Sequence, residues 1–163
     1  MNPGSGLNNI IVDRHDYQVF ENGLLGIPID QHVARACGLA KNEIANADKP
    51  IITGEWTGAL TDCAKYLNGR GVGARYDGSY PGTPHVGSCA GKTTGSAANL
   101  SEGEKKDMRR FVEAQLDAFE TGRGWFFWTW KTEGAPGWDM QDLLQTGIFP
   151  QPMDNRRHSG QCG

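Results

Sequence analysis

Residues 49–63 read KPIITGEWTGALTDC. After Pro50, the apolar, β-branched run Ile51-Ile52-Thr53 stops at Gly54. It reads as a buried strand over 50–54. A lone carboxylate, Glu55, follows beside Trp56. Glutamate is depleted in strands and is rarely buried unless paired. Glu55 is therefore either a solvated acid opening a helix, where the dipole favours it, or an active-site carboxylate. Behind it Leu60, Cys63, Ala64 and Leu67 recur at helical spacing, which predicts a helix over 57–68.

Upstream, Asn9-Ile10-Ile11-Val12-Asp13 predicts another buried strand. It runs into DRHDYQVF, which carries His, Tyr and Phe in a short space. Residues 23–28 read as loop. Asp30 then caps a helix reaching about Asn42, with Val33, Ala36 and Cys37 on one face. Downstream, residues 69–100 form a long stretch rich in Gly, Ser, Thr and Tyr. Loops of that length in a compact domain are functional or tied down. Ser101-Glu102-Gly103-Glu104 is a capping box. The helix behind it carries Met108, Phe111, Val112, Leu116 and Phe119 on one face and ends at Gly122. Gly124–Trp130, GWFFWTW, predicts a third strand, and a short helix follows near 139–145. Strands alternating with helices imply an α/β fold with a parallel sheet.

Composition sets bounds. The 163 residues allow one domain, 1–163, with a real core and no second domain. Net charge is −3 and no basic run stands out, which argues against nucleic-acid binding through a basic patch. No apolar run is long enough to span a bilayer, so no membrane partner is expected. MNPGSGLNNI lacks the basic start and apolar centre of a signal peptide and reads as a loop entering the first strand. The four cysteines, Cys37, Cys63, Cys89 and Cys162, are widely spaced with no zinc-like pattern. No metal and no cofactor is expected. The cysteines are either free core thiols or two disulfides formed in an oxidising compartment. Asn99-Leu100-Ser101, a glycosylation sequon, adds a little to the second reading, under which a secretory signal belongs upstream of Met1.

The chemistry gathers at the strand ends, where parallel α/β folds bind ligands. His15 and Tyr17 follow the first strand, Glu55 and Trp56 the second, and Trp128, Trp130, Lys131 and Glu133 finish or follow the third. Each has a plain reading: His15 as a surface histidine, Tyr17 and Phe20 as packing, the tryptophans as core. Together on one rim they suit a sugar site. Aromatic faces stack on the apolar faces of pyranose rings, while carboxylates and histidine bind hydroxyls.

These segments also follow one another in a known order. RHDYQVF, ITGEW, ALTDCAKYLNG, GARYDG, RRFVEAQLDAFE, GWFFWTWKTE and GIFPQP resemble the fungal exo-β-1,3-glucanases of glycoside hydrolase family 5, from about Ile10 to Cys162. The resemblance implies a partial (β/α)8 TIM barrel, its last three βα units, and a retaining mechanism on β-1,3-glucan or related oligosaccharides. It implies Glu55 as nucleophile, and His15 and Tyr17 as the family's His-x-Tyr, with the Tyr hydroxyl bonded to the nucleophile. Trp128 would floor the glucose subsite, and Phe20 would be half of an aromatic clamp at the entrance. It further implies that Cys63 pairs with Cys89 and Cys37 with Cys162, and that the complete protein is a monomer, secreted or in the cell wall.

Retaining hydrolysis needs two carboxyls roughly 5–5.5 Å apart, one ionised to attack and one protonated to donate. A hydroxyl donating to the first favours its ionised form. The second is missing: the family's Asn-Glu-Pro does not occur, and the one Asn-Glu pair, Asn42-Glu43, falls at a helix end. Glu133 is near the rim and is a poor candidate for the acid. The expectation is a truncated chain that is catalytically inactive alone. The alternative is a non-catalytic β-glucan-binding fragment using Trp128 and Phe20.

Overall fold

The computed structural model describes residues 9–163. The expected N-terminal loop therefore lies largely outside the described residues. Strand β1 (Val12–Asp16) pairs in parallel with β2 (Ile51–Trp56). Helix α1 (Ile29–Leu39) makes the crossover and unwinds into a π-helical turn over Ala40–Ile44. After β2 comes a long irregular stretch with one short 3₁₀ turn (Ala97–Asn99). Helix α2 (Glu102–Phe119) and helix α3 (Met140–Gln145) follow. The result is a small α/β unit with two parallel strands and three helices.

The first strand sits a few residues later than its apolar run suggests, because Val12–Asp16 is the part that β2 can pair with. The third expected strand is reduced to an extended segment. Arg123 and Phe126 N–H groups donate to the carbonyls of Ile51 and Thr53 (2.7 and 2.8 Å), and Trp128 N–H reaches Trp56 O (2.7 Å). One parallel bridge, Thr53 with Trp125, is all that forms. Beyond Trp128 there is no β2 left to pair with. Thr129 N–H turns instead to Trp138 O (2.8 Å), and Gln141 N–H bonds back to Trp130 O (3.0 Å).

The helix expected over 57–68 does not form, and its backbone bonds explain why. Gly58 N–H is taken by Gly137 O (3.0 Å) and Lys65 N–H by Thr93 O (2.9 Å), partners far along the chain. Tyr66 has φ +65°, which a helix excludes. The buried carboxylate of Asp62 accepts from the Arg75 and Tyr76 N–H groups (2.7 and 3.0 Å) and from Asn68 (2.9 Å). Ala64 and Leu67 pack instead against Val19, Leu25, Ala59 and Trp138, and Cys63 against Ala74 and Cys89 in the folded loop that follows. That loop is pinned by the Cys63–Cys89 disulfide.

Helix α2 forms as read. Ser101 Oγ accepts from Glu104 N–H (3.3 Å), and the Glu104 carboxylate accepts from Ser101 N–H (2.9 Å). Met108, Phe111, Val112, Leu116 and Phe119 are all buried, each contributing about 1.5–3 kcal/mol of apolar transfer energy. Met108, Val112, Leu116 and Phe119 share a cluster with Trp56, Phe127 and Phe149, whose rings lie 4.9–6.0 Å from one another, while Phe111 packs against His32. Gly122 follows the helix where a side chain would strike Ile51 O at 2.8 Å. The buried Arg109–Glu113 pair anchors the tail. Arg109 donates to Gly147 O and Asn155 O (2.9 and 2.7 Å), while Glu113 accepts from the Arg157 and His158 N–H groups. The Cys37–Cys162 disulfide ties the tail to α1. Among the described residues no helix is long and apolar enough to cross a membrane.

Candidate active site

Strand alternation decides what β1 offers. Val12, Arg14 and Asp16 are half-buried, while Asp13 and His15 point to the exposed face. On the half-buried side, burial lifts the Asp16 carboxyl above the usual carboxylate range despite the charges of Arg14 and Arg35. Arg14 pairs with Glu43, so the acid of the Asn42-Glu43 pair is engaged there.

On the exposed face β2 departs from simple alternation. Arg14 aligns with Thr53, but the next residue, His15, aligns with Glu55. Gly54 is the extra residue of a bulge, a device that re-aims side chains beside active sites. A Cβ placed on Gly54 would meet the Asp13 carboxylate, and Glu55 meets His15 and Tyr17. Two consecutive residues of β2 thus face the same polar surface.

Three expected residues come together there. Tyr17 Oη donates to Glu55 Oε2 at 2.7 Å. His15 Nδ1 lies 3.5 Å from the same oxygen. Burial, then the hydrogen bond to Glu55 and its charge, hold the Tyr17 phenol far above its ordinary pKa. It therefore remains a proton donor to Glu55 across the working pH range. Phe20 joins through Tyr17, its ring edge-on at 5.6 Å. Trp138 stacks on Tyr17 at 5.6 Å and 26°. Arg75 lies over Tyr80 at 4.1 Å and beyond Phe20 at 5.9 Å, tying this aromatic group to the long loop.

Trp128 stands slightly apart. Its backbone is fixed to Trp56 O, next to Glu55, while half of its surface is exposed, as are Phe126 and Trp130. Trp128 and Glu133 line a cavity of about 440 Å³ with Trp138, and Glu55 is not among its walls. Both disulfides expected from the resemblance are formed. Asn99 is exposed in its 3₁₀ turn. Among the described residues no cluster of three or more His, Cys, Asp or Glu could hold a metal.

Two participants escape a motif-by-motif reading. Asp13 reads as a polar strand end, yet its carboxylate Oδ2 lies 3.2 Å from His15 Nε2. The i, i+2 spacing of Asp13 and His15 was the available signal. Trp138 carries no sequence signal toward Tyr17, because the two are brought together by tertiary packing alone.

Comparison with known proteins points the same way. The chain is 57% identical over 155 residues to a probable glucan 1,3-beta-glucosidase A of Aspergillus niger. The chain is similar to fungal glucosidases. A protein of the same name from Emericella nidulans is 56% identical over 154 residues. A probable glucan 1,3-beta-glucosidase of Arthroderma benhamiae is 54% identical over 157 residues. These matches cover 95, 94 and 93% of this chain but 37, 38 and 38% of the relatives. The chain thus spans less than two-fifths of the length of the curated relatives it matches. No protein-family model matches it.

Proposed function

We propose that this chain is the nucleophile-bearing part of a retaining glycoside hydrolase that releases glucose from the ends of β-1,3-glucan. The carrying observation is the 2.7 Å hydrogen bond from Tyr17 to Glu55 at the carboxyl end of β2. The relatives' names supply the substrate class. In this reading Glu55 attacks the anomeric carbon, and Tyr17 holds the carboxylate in line. His15 and Trp128 bind the sugar, and Phe20 guides the entering chain. The acid that protonates the leaving oxygen comes from sequence outside these 163 residues, since neither Glu43 nor Glu133 is placed for it in this reading. The strands are those of the last three βα units of a (β/α)8 barrel of glycoside hydrolase family 5. The complete protein is a secreted or cell-wall monomer.

The test joins this chain to the portion of the Aspergillus niger relative that it does not match. Glucose release from laminarin is then measured. The chimera should be active and Glu55→Gln should lower kcat by about 10³-fold or more, some 4 kcal/mol of barrier. The 163-residue chain alone should release none. Robust release by the short chain, or an active Glu55→Gln chimera, would remove the proposal.

A second reading rests on the exposed Trp128, Trp130 and Phe126: a fragment that binds β-glucan without cleaving it. It requires saturable glucan binding by the short chain that is lost in Trp128→Ala.

A further inference from the structure

We propose that Asp13 is a positioning residue for the Glu55 site, and that Gly54 is glycine to admit its carboxylate. The inference rests on the glycosidase reading, because it concerns how the same site is aligned.

Three observations converge. The first is a relay of contacts: Asp13 Oδ2 lies 3.2 Å from His15 Nε2, and His15 Nδ1 lies 3.5 Å from Glu55 Oε2. An imidazole is a flat ring on two torsions, so a partner on one nitrogen fixes where the other points. Asp13 thereby sets the direction of the Nδ1 edge toward Glu55. The second is the bulge: Gly54 is the extra residue between the Thr53 and Glu55 positions, and it turns Glu55 toward the Asp13–His15 face. The third is space: a Cβ on Gly54 would lie 2.0 Å from Asp13 Oδ1 and 2.7 Å from its Cγ. The Asp13 carboxylate therefore occupies the volume that any other residue's side chain would need.

These facts separate two roles usually confounded. Asp13 is about half exposed at its side chain, so it can swing away at little cost to folding. Gly54 does not have the positive φ that only glycine accepts readily, so its backbone tolerates alanine. Alanine at this position expels the Asp13 carboxylate while leaving the strand intact. Its effect on catalysis copies that of deleting Asp13.

In the chimera, Asp13→Ala and Gly54→Ala should each lower kcat by about 10–100-fold, the scale expected for small misplacements of a reacting group. The thermal midpoint should stay close to the parent. Asp13→Asn, which keeps an oxygen acceptor for His15, should recover most of the loss. The double variant should be no worse than Asp13→Ala alone, since the methyl group added by Gly54→Ala then has no carboxylate to displace. In the 163-residue chain itself, the ¹⁵N spectrum of the His15 ring should show an Nε2 hydrogen held in a hydrogen bond to the Asp13 carboxylate. That signature should be lost in Asp13→Ala and Gly54→Ala. A folded Asp13→Ala chimera with kcat within about twofold of the parent, losses that multiply in the double variant, or an unchanged His15 spectrum would each overturn the proposal. Failure of the glycosidase reading is distinguishable, because it shows as an active Glu55→Gln chimera.

Discussion

Glu55 and Trp56 are neighbours on one strand and live in different worlds. Trp56 is fully buried, with its ring edge-to-face against Phe119, Trp125 and Phe127 at 4.9–5.5 Å. Glu55 lies on the opposite face among Asp13, His15 and Tyr17, with its side chain 29% exposed. The covered face of the sheet, closed by α1 and α2, carries the stability. The face left open by the described residues carries the polar cluster of Asp13, His15, Tyr17 and Glu55. A one-residue step separates them, so substitutions at adjacent positions should report on different properties.

The largest expected break of that division is Trp56→Ala. Removing a fully buried indole should cost about 3–5 kcal/mol, read from urea denaturation, whereas the conservative Glu55→Gln should leave the midpoint nearly unmoved. Next is the pH dependence set by His32, on the covered side. Its ring is buried against Phe111 and bonded to Gln18 at 2.8 Å. Burial, with a smaller push from Arg35, lowers its pKa from 6.5 to about 4. Between those values the unfolded chain holds more protons than the folded one. The His32 contribution is therefore complete above pH 6.5 and is lost as pH falls toward 4. At most it amounts to about 3 kcal/mol. His32→Gln should flatten the stability profile in that window.

On the open face, Tyr17→Phe sharpens the comparison. It removes the donor to Glu55 while keeping the ring stacked on Trp138. In the chimera it should lower kcat by about 10–100-fold, or 1.4–2.8 kcal/mol of barrier, with a smaller change in thermal midpoint. The smallest effect is expected at the far end of the covered side. Ser101→Ala breaks the capping box of α2 and should cost about 1 kcal/mol without touching kcat.

How much of this was legible in the sequence follows the same divide. The apolar period of α2 and its Ser101–Glu104 cap are local, and both appear where they were read. The strand over Ile51–Thr53 is likewise present and extends through Trp56. The 57–68 segment shows where periodicity misleads. Leu60, Cys63, Ala64 and Leu67 have helical spacing, but the backbone partners are Gly137 and Thr93, which no local pattern can reveal. The strand expected over 124–130 fails for a similar reason, since its pairing depends on where β2 ends. At the site, Glu55, His15 and Tyr17 were legible from residue type and order. The Gly54 bulge, the Asp13 carboxylate in its notch and Trp138 behind Tyr17 were not, since each exists only once two strands and a loop are in register.

The disulfides have a consequence of connectivity. One joins Cys37 to Cys162 and the other Cys63 to Cys89. The second loop is nested inside the first. A protease that cuts between Cys63 and Cys89, where the chain is long and irregular, leaves two pieces held by both bridges. A cut elsewhere between Cys37 and Cys162 leaves them held by one. The molecule can thus be nicked through most of its length without falling apart. After a single cut between Cys37 and Cys162, separation of the two pieces requires reduction as well as cleavage.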